Sequence, residues 1–158
     1  MKKYLLAAAA GAAVIAAPVQ AKSMKCAAVS QAKAEGFFTD FNEAWATKDP
    51  AAVTSMFTKD AVLLATVSNK PRLTHAEIQD YFVSFLKGSP VATINTSTFK
   101  MGCDTVARLG TWTVTLTNLN SGVRSDVKAR YAFLDRMESG KWKIDHLHSS
   151  MMPESTGK

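Results

Sequence analysis

The side chains best suited to chemistry are clustered near the C-terminus. His146 and His148 lie two residues apart, and Ser149 and Ser150 follow them directly. A neutral imidazole can accept a proton from an attacking water, and hydroxyls can hold that water or the oxygens that become negatively charged. The cluster therefore has the residue types of a site for general base catalysis that needs no metal.

This cluster stands at the end of a segment in which apolar and polar residues alternate, and such a pattern predicts a β-strand. Side chains on a strand alternate between its two faces. Strict alternation places one set on the core face: Trp142, Ile144, His146, His148 and Ser150. Leu147 is then expected to point away from the core. Ser149 is expected opposite Ser150 unless a bulge or the strand end turns it inward.

A bound metal is an alternative role for the histidine pair. Two imidazoles at this spacing are close enough to bind one ion, and zinc suits such ligands, but a catalytic zinc needs a third protein ligand. His75 follows a predicted helix cap and is expected to be solvated, and Asp145 is expected on the opposite face. We therefore favour no cofactor, with zinc on His146 and His148 as the alternative. Partly buried histidines hydrogen-bonded to backbone or tyrosine hydroxyls are the simplest reading.

The N-terminus has the pattern of a secretory signal. Lys2 and Lys3 precede an apolar stretch too short to span a bilayer, and a small-x-small cleavage site ends at Ala21. This pattern predicts export to the periplasm or out of the cell, with residues 1–21 removed and a single domain over 22–158. No other segment is apolar enough to span a membrane, so no membrane association is expected after cleavage.

The charge distribution and the cysteine content give two further predictions. The formal net charge is +6, but the basic residues are scattered, whereas nucleic-acid binding usually needs a basic patch or stripe. We expect no nucleic-acid partner. Cys26 and Cys103 can form a disulfide in an oxidising compartment, and two unpaired thiols are the alternative.

The elements that must position the cluster are helices first and strands afterwards. Aromatic residues at helical spacing predict a core-facing helix over 27–47, and a short helix begins at Pro50. Thr74 and Glu77 form a capping box for a helix that runs to Lys87. A buried strand is predicted over 61–66, followed by alternating strands over 91–100, 103–117, 123–137 and 141–150. This order predicts an α+β fold with helices packed on one face of a curved antiparallel sheet.

Three segments resemble one known family: residues 63–72, residues 77–82, and residues 142–154 with the run His-Leu-His-Ser-Ser-Met-Met-Pro-Glu. The chain resembles the bacterial proteins related to the association domain of calcium/calmodulin-dependent protein kinase II, within the nuclear transport factor 2-like superfamily. Several exported members of this set are iota-class carbonic anhydrases. The resemblance implies a cone-shaped fold with a pocket at one end, a homodimer, and reversible hydration of CO2 to bicarbonate.

The resemblance also implies roles by position. It implies catalytic roles for Thr66, Tyr81, His148 and Ser149, and binding of substrate or anionic product by Arg72, His146 and Ser150. The chain departs from the family pattern at two positions. Leu147 interrupts a run of consecutive histidines, and Ala65 stands where proline is expected. Alternation turns Leu147 away from the pocket, so both histidines are expected to keep their places.

Two other functions remain open. Another pocket enzyme of the same superfamily would need a carboxylate base in the pocket, and Asp40 and Glu43 lie off the aromatic stripe of the first helix. A non-catalytic module that binds a small ligand or assembles with itself would not need the histidines. The threonine-rich strands are compatible with a dimer interface.

Overall fold

The computed structural model of the chain describes Cys26 and residues 29–153. The predicted signal over 1–21 lies outside these residues, and so do the two ends of the predicted domain over 22–158. Among the residues described, no helix is both long enough and apolar enough to cross a bilayer.

Three α-helices form one layer: α1 (Gln31–Ala46), α2 (Pro50–Ser55) and α3 (His75–Phe85), the last continued by a 3₁₀ turn over Leu86–Gly88. Each α-helix begins at a side chain that accepts a hydrogen bond from the first turn, namely Ser30, Asp49 and Thr74. The predicted cap at Thr74 is confirmed, and Glu77 accepts a hydrogen bond from the backbone N–H of Leu73 at 2.9 Å.

The second layer is a five-stranded sheet: β1 (Phe57–Leu64), β2 (Val91–Met101), β3 (Thr105–Thr117), β4 (Arg124–Glu138) and β5 (Lys141–Met151). The strand order is β1-β5-β4-β3-β2. All neighbours are antiparallel except β1 and β5, which are parallel. The predicted α+β architecture, with helices on one face of a curved and mostly antiparallel sheet, is confirmed.

Aromatic side chains from both layers fill the core between helices and sheet. Phe41 and Trp45 of α1 are buried, and Phe38 packs against the same cluster, so the aromatic stripe of the first helix is core. Phe41 and Trp45 contact Phe133 and Trp112 of the sheet, with ring centroids 5.4 and 6.0 Å apart. Such aromatic pairs contribute more than their buried area alone.

Cys26 and Cys103 form a disulfide, which confirms the predicted pairing. The bond joins the chain before α1 to the turn between β2 and β3, across 77 positions of sequence. It therefore links the segment before α1 to the sheet.

A β-bulge in β5 overturns the predicted inward set of side chains. Leu134 of β4 pairs with His146, whereas the next residue of β4 pairs with Ile144, so Asp145 is an extra residue in β5. One extra residue moves every later side chain to the other face. Leu147 and Ser149 are therefore buried, at 3% and 5% exposure. The prediction that alternation turns Leu147 outward is wrong.

The histidines consequently lie on the face of the sheet that points away from the helices. His146 is half-buried and His148 is exposed. His146 pairs with Val62 of β1, and His148 pairs with Leu64. Ser150 lies on the same face of the sheet as the two histidines. The predicted placement of His146, His148 and Ser150 on the core face is wrong, because strict alternation does not allow for the bulge.

Candidate functional site

A small pocket lies between α1, α3 and the inner face of the sheet, and we call it the inner pocket. Its cavity volume is about 20 Å³, which is room for roughly one or two water-sized molecules. Most of its wall is apolar. The lining includes Trp45, Thr66, Tyr81, Trp112, Leu147 and Ser149. The structure thus brings three predicted site residues together, namely Thr66, Tyr81 and Ser149.

A chain of hydrogen bonds fixes the hydroxyls in this pocket. Thr66 Oγ1 lies 2.5 Å from Ser149 Oγ, and the indole Nε1 of Trp112 donates to the same Ser149 oxygen at 3.0 Å. Ser149 in turn donates to the backbone carbonyl of Arg130 at 3.0 Å. A carbonyl only accepts and an indole N–H only donates, so the Ser149 hydroxyl uses its one hydrogen to donate to the backbone carbonyl of Arg130.

The direction of this chain determines what the pocket offers a ligand. Because Ser149 already accepts from Trp112 and donates to Arg130, Thr66 must supply its own proton to Ser149. The lone pairs of Thr66 Oγ1 remain, so Thr66 presents an acceptor to the pocket. Ser149 is saturated with protein partners, and its hydrogen bond orients the Thr66 hydroxyl.

Tyr81 supplies the complementary group. Burial raises the pKa of its phenol well above the ordinary value, and the nearby charge of Arg72 opposes the rise only in part. The phenol is therefore neutral and is a hydrogen-bond donor at neutral pH. Its ring stacks on Phe85 at 5.3 Å, which holds it in place on α3.

Arg72 stands at the entrance of the inner pocket rather than inside it. Its guanidinium carbon lies 5.7 Å from the centre of the Tyr81 ring. It lines a wider groove that shares Val67, Tyr81 and Phe85 with the inner pocket. Arg72 thus contacts the outer side of the inner pocket through the Tyr81 ring but does not itself line the pocket.

The remaining predicted residues lie elsewhere. The rings of His146 and His148 are 6.4 Å apart on the outer face. His148 and Ser150 line a shallow outer groove, whose lining also includes Thr66 and Ser149. No imidazole of the residues described lines the inner pocket, although Thr66 and Ser149 line both the pocket and this groove.

The departure from the family pattern falls on the inward position. With the bulge at Asp145, the residue that faces the pocket two places before Ser149 is Leu147. A run of histidines would place an imidazole there, and this chain places an isobutyl group. The leucine itself could have revealed this. An apolar residue between two histidines indicates that its position, and not theirs, faces the core.

A metal centre has few candidate ligands in this structure. Among the residues described, no three His, Cys, Asp or Glu side chains converge on one point. The third histidine, His75, was expected to be solvated, and this is wrong: its Nε2 donates to the carbonyl of Thr58 at 2.7 Å. Zinc at His146 and His148 stays a prediction with two protein ligands.

The sequence reasoning missed one buried carboxylate. Asp135 of β4 lines a second small cavity, together with Arg108 and the rings of Phe37 and Phe38 under α1. Burial raises the pKa of Asp135 to about 7, against the opposing effect of the Arg108 charge. This carboxyl does not line the inner pocket, so it does not serve as the base for that site.

Comparison with known proteins identifies the family. The model of the calcium/calmodulin dependent protein kinase II association domain matches residues 31–153. The chain belongs to this family. A candidate association domain of the same kind from Xanthomonas campestris is 37% identical, with a TM-score of 0.76, and the match covers 87% of this chain and 99% of that one. No curated protein matches the chain.

Other solved structures share the fold alone. A candidate aromatic ring hydroxylase from Novosphingobium aromaticivorans is 22% identical with a TM-score of 0.66, covering 76% of this chain and 87% of that one. A candidate dehydratase of the nuclear transport factor 2-like family from Streptomyces avermitilis is 11% identical with a TM-score of 0.69, covering 77% and 96%. The association-domain chain therefore has the nuclear transport factor 2-like fold, which includes proteins described as candidate enzymes.

Proposed function

We propose that the inner pocket binds carbon dioxide and that a water held by Thr66 at the end of this pocket hydrates the CO2 reversibly to bicarbonate. The observation that carries this proposal is the Thr66–Ser149 hydroxyl pair at the end of a very small apolar cavity. CO2 is small and apolar, so aromatic and aliphatic walls suit it. The reaction also needs an oriented water and a donor for the oxygens that become negatively charged.

The hydroxyl chain supplies the orientation. A water at the end of the pocket donates one hydrogen to Thr66 Oγ1, which leaves a lone pair of the water oxygen free to attack the carbon of CO2. As the new C–O bond forms, the phenol of Tyr81 donates to a CO2 oxygen that gains negative charge. Ser149 touches neither reactant and acts by fixing the direction of the Thr66 hydroxyl.

The proton of the attacking water goes to a base from solvent. Deprotonating free water at neutral pH would cost about 12 kcal/mol, so the proton must leave while the C–O bond forms. Because no imidazole or carboxylate of the residues described lines the inner pocket, we expect the buffer to accept this proton. The products are then bicarbonate and the protonated buffer base.

The test is stopped-flow hydration of CO2 by the mature protein after exhaustive chelation. We expect the rate to rise with the concentration of buffer base at constant pH. Thr66→Val and Tyr81→Phe should each lower it at least tenfold, while His148→Ala and Ser150→Ala on the outer face should leave it within twofold. Leu147→His should make the rate less dependent on buffer. A rate lost on chelation and restored by zinc would contradict the proposal.

The second candidate is a pocket that binds a small neutral molecule without reaction. Leu147 favours this second candidate, because a leucine occupies the inward-facing position where the family pattern has a histidine. The indole N–H resonance of Trp112 reports occupancy, since this group bonds directly to Ser149. A shift of that resonance with CO2 at fixed pH, together with hydration no faster than buffer alone, would favour binding without catalysis.

Export and self-association remain predictions. N-terminal sequencing of the protein from culture fractions tests cleavage after Ala21. Sedimentation equilibrium of the mature protein tests the homodimer. Neither result alters the reasoning about the inner pocket.

A further inference from the structure

A second groove runs between the later half of α1 and the segment that leads into β2, and we call it the α1 groove. Its walls come from residues 38–48 and 89–91. Its cavity volume is about 390 Å³, which lies in the usual range of small-molecule sites, roughly 300–1,000 Å³. Of the described residues that line the inner pocket, Trp45 alone also lines this groove. A ligand in the α1 groove would therefore occupy a site of its own.

The two walls of the α1 groove are fixed to each other. The side-chain amide of Asn42 donates to the backbone carbonyl of Ala92 at 3.0 Å and accepts from the Ala92 N–H at 3.1 Å. These bonds join α1 to the first residues of β2. A groove whose width is fixed before a ligand arrives loses little freedom when the ligand binds.

Two residues of the α1 groove have a backbone conformation that favours glycine. Lys48 has a φ of 58° and Ser89 has a φ of 43°, both in the left-handed region. Lys48 directly follows the C-cap of α1, at a position that glycine commonly occupies. A side chain there is strained, and strained residues are concentrated at binding and catalytic sites. In this chain the strained position places an ammonium group at the groove.

The α1 groove has one acidic and one basic side chain, and the protein neutralises neither of them. Glu43 and Lys48 both line the groove, and both are exposed. Among the residues described, neither forms an ion pair with the other or with a third residue. No other charged residue that the structure describes lines the groove. A ligand with one positive and one negative group would complement this pair of charges.

The rest of the groove offers an apolar wall. Phe38 and Trp45 of α1 line it together with Pro90 and Val91, and Val91 is 50% exposed. Burial of part of this surface by an aliphatic group stabilises a complex. The indole N–H of Trp45 is buried and makes no hydrogen bond to any residue that the structure describes. Its resonance is therefore a suitable reporter of a ligand on this wall.

We propose that the α1 groove is a binding site for a small zwitterion, namely a free α-amino acid with an aliphatic side chain. The ammonium group of the ligand pairs with Glu43, its carboxylate pairs with Lys48, and its side chain lies on the apolar wall. A simple carboxylate would be repelled by Glu43, and a simple amine would be repelled by Lys48. This binding function does not rest on the proposed hydration of CO2.

The experiment is a titration of the mature protein with L-leucine at pH 7 and constant ionic strength. Binding is followed by the indole N–H resonance of Trp45 and by the backbone amides of 42–48 and 91–92. We expect saturable shifts of these resonances. L-Leucinamide lacks the carboxylate and 4-methylpentanoate lacks the ammonium group, so each should bind at least fivefold more weakly than L-leucine.

Charge variants test the two assigned contacts. Glu43→Gln and Lys48→Gln should each weaken the binding of L-leucine at least fivefold. Glu35→Gln and Lys33→Gln are the matched controls, because they remove the same charges from exposed positions of α1 that do not line the groove. Each control should change the affinity by less than twofold.

Shifts that never saturate would overturn the inference, and so would equal affinities in the four variants. 4-Methylpentanoate that binds as tightly as L-leucine would also overturn it, because Glu43 would then play no part in recognition. Rates of CO2 hydration in the same samples distinguish this inference from the proposed function. Leucine binding without hydration would remove the hydratase only, and hydration without leucine binding would remove the amino-acid site only.

Discussion

The hydrogen bonds of Ser149 provide the most specific prediction about stability. Ser149→Ala removes the acceptor of the buried Trp112 indole N–H and of the Thr66 hydroxyl, and the donor to the Arg130 carbonyl. An unpaired buried donor costs about 1–3 kcal/mol. The half-buried Thr66 hydroxyl can turn to water, so it adds less. We expect the variant to lose about 2–4 kcal/mol of the free energy of unfolding.

The assay is equilibrium unfolding in urea, followed by tryptophan fluorescence and by circular dichroism. With a urea dependence of about 1–3 kcal/mol per molar, the midpoint should fall by roughly 1–2 M. Ser150→Ala is the matched control, because the neighbouring hydroxyl lies on the outer face, and we expect a change within about 0.5 kcal/mol. Equal losses in the two variants would refute the assigned direction of Ser149 and hence the bulge at Asp145.

Three further predictions concern the fold. Leu147→Ala should cost about 2–5 kcal/mol in urea unfolding, because it empties a buried site, while His148→Ala should cost about 0.5 kcal/mol or less; similar costs would argue against the bulge. Asp135 holds its proton in the folded protein up to a pKa of about 7 but loses it near pH 4 when unfolded, so stability should fall between these values by up to about 4 kcal/mol. Asp135→Asn should remove that fall, and thermal unfolding from pH 4 to 8 measures the difference. Replacing Cys26 and Cys103 by alanine should cost about 4 kcal/mol by calorimetry, because the bond closes a loop of 77 positions; an unchanged melting temperature would contradict this.

Most of the fold could be predicted from local patterns. Aromatic spacing located α1, and Thr74 with Glu77 marked the start of α3. The alternating segments located β2 to β5 to within about two residues at each end. The strand predicted over 61–66 begins earlier, at Phe57, because β1 pairs with β5 at the edge of the sheet and there tolerates exposed polar residues.

The site could be predicted only in part. Thr66, Tyr81 and Ser149 meet in the inner pocket, and Arg72 stands at its mouth. The histidines were predicted on the wrong face, because a bulge changes which side chains face the core without changing the composition of the strand. Asp135 was missed because its burial depends on the cover that α1 provides, and that packing is not visible in the spacing of residues on β4.

The inner pocket explains the division between the two faces of β5. Ser149 and Leu147 point to the helices, so they control the polarity of the cavity. His146 and His148 point outward, where they can contact solvent or another molecule. One inserted residue, Asp145, therefore separates the residues most suited to general base catalysis from the residues that enclose the pocket.

The measurement that tests this account most directly is CO2 hydration by Thr66→Val and His148→Ala, compared at equal concentration of folded protein in the same buffer. The account predicts that Thr66→Val lowers the rate at least tenfold and that His148→Ala leaves it within twofold. A large loss in His148→Ala with little change in Thr66→Val would contradict the account, because it would place the chemistry on the outer face of the sheet.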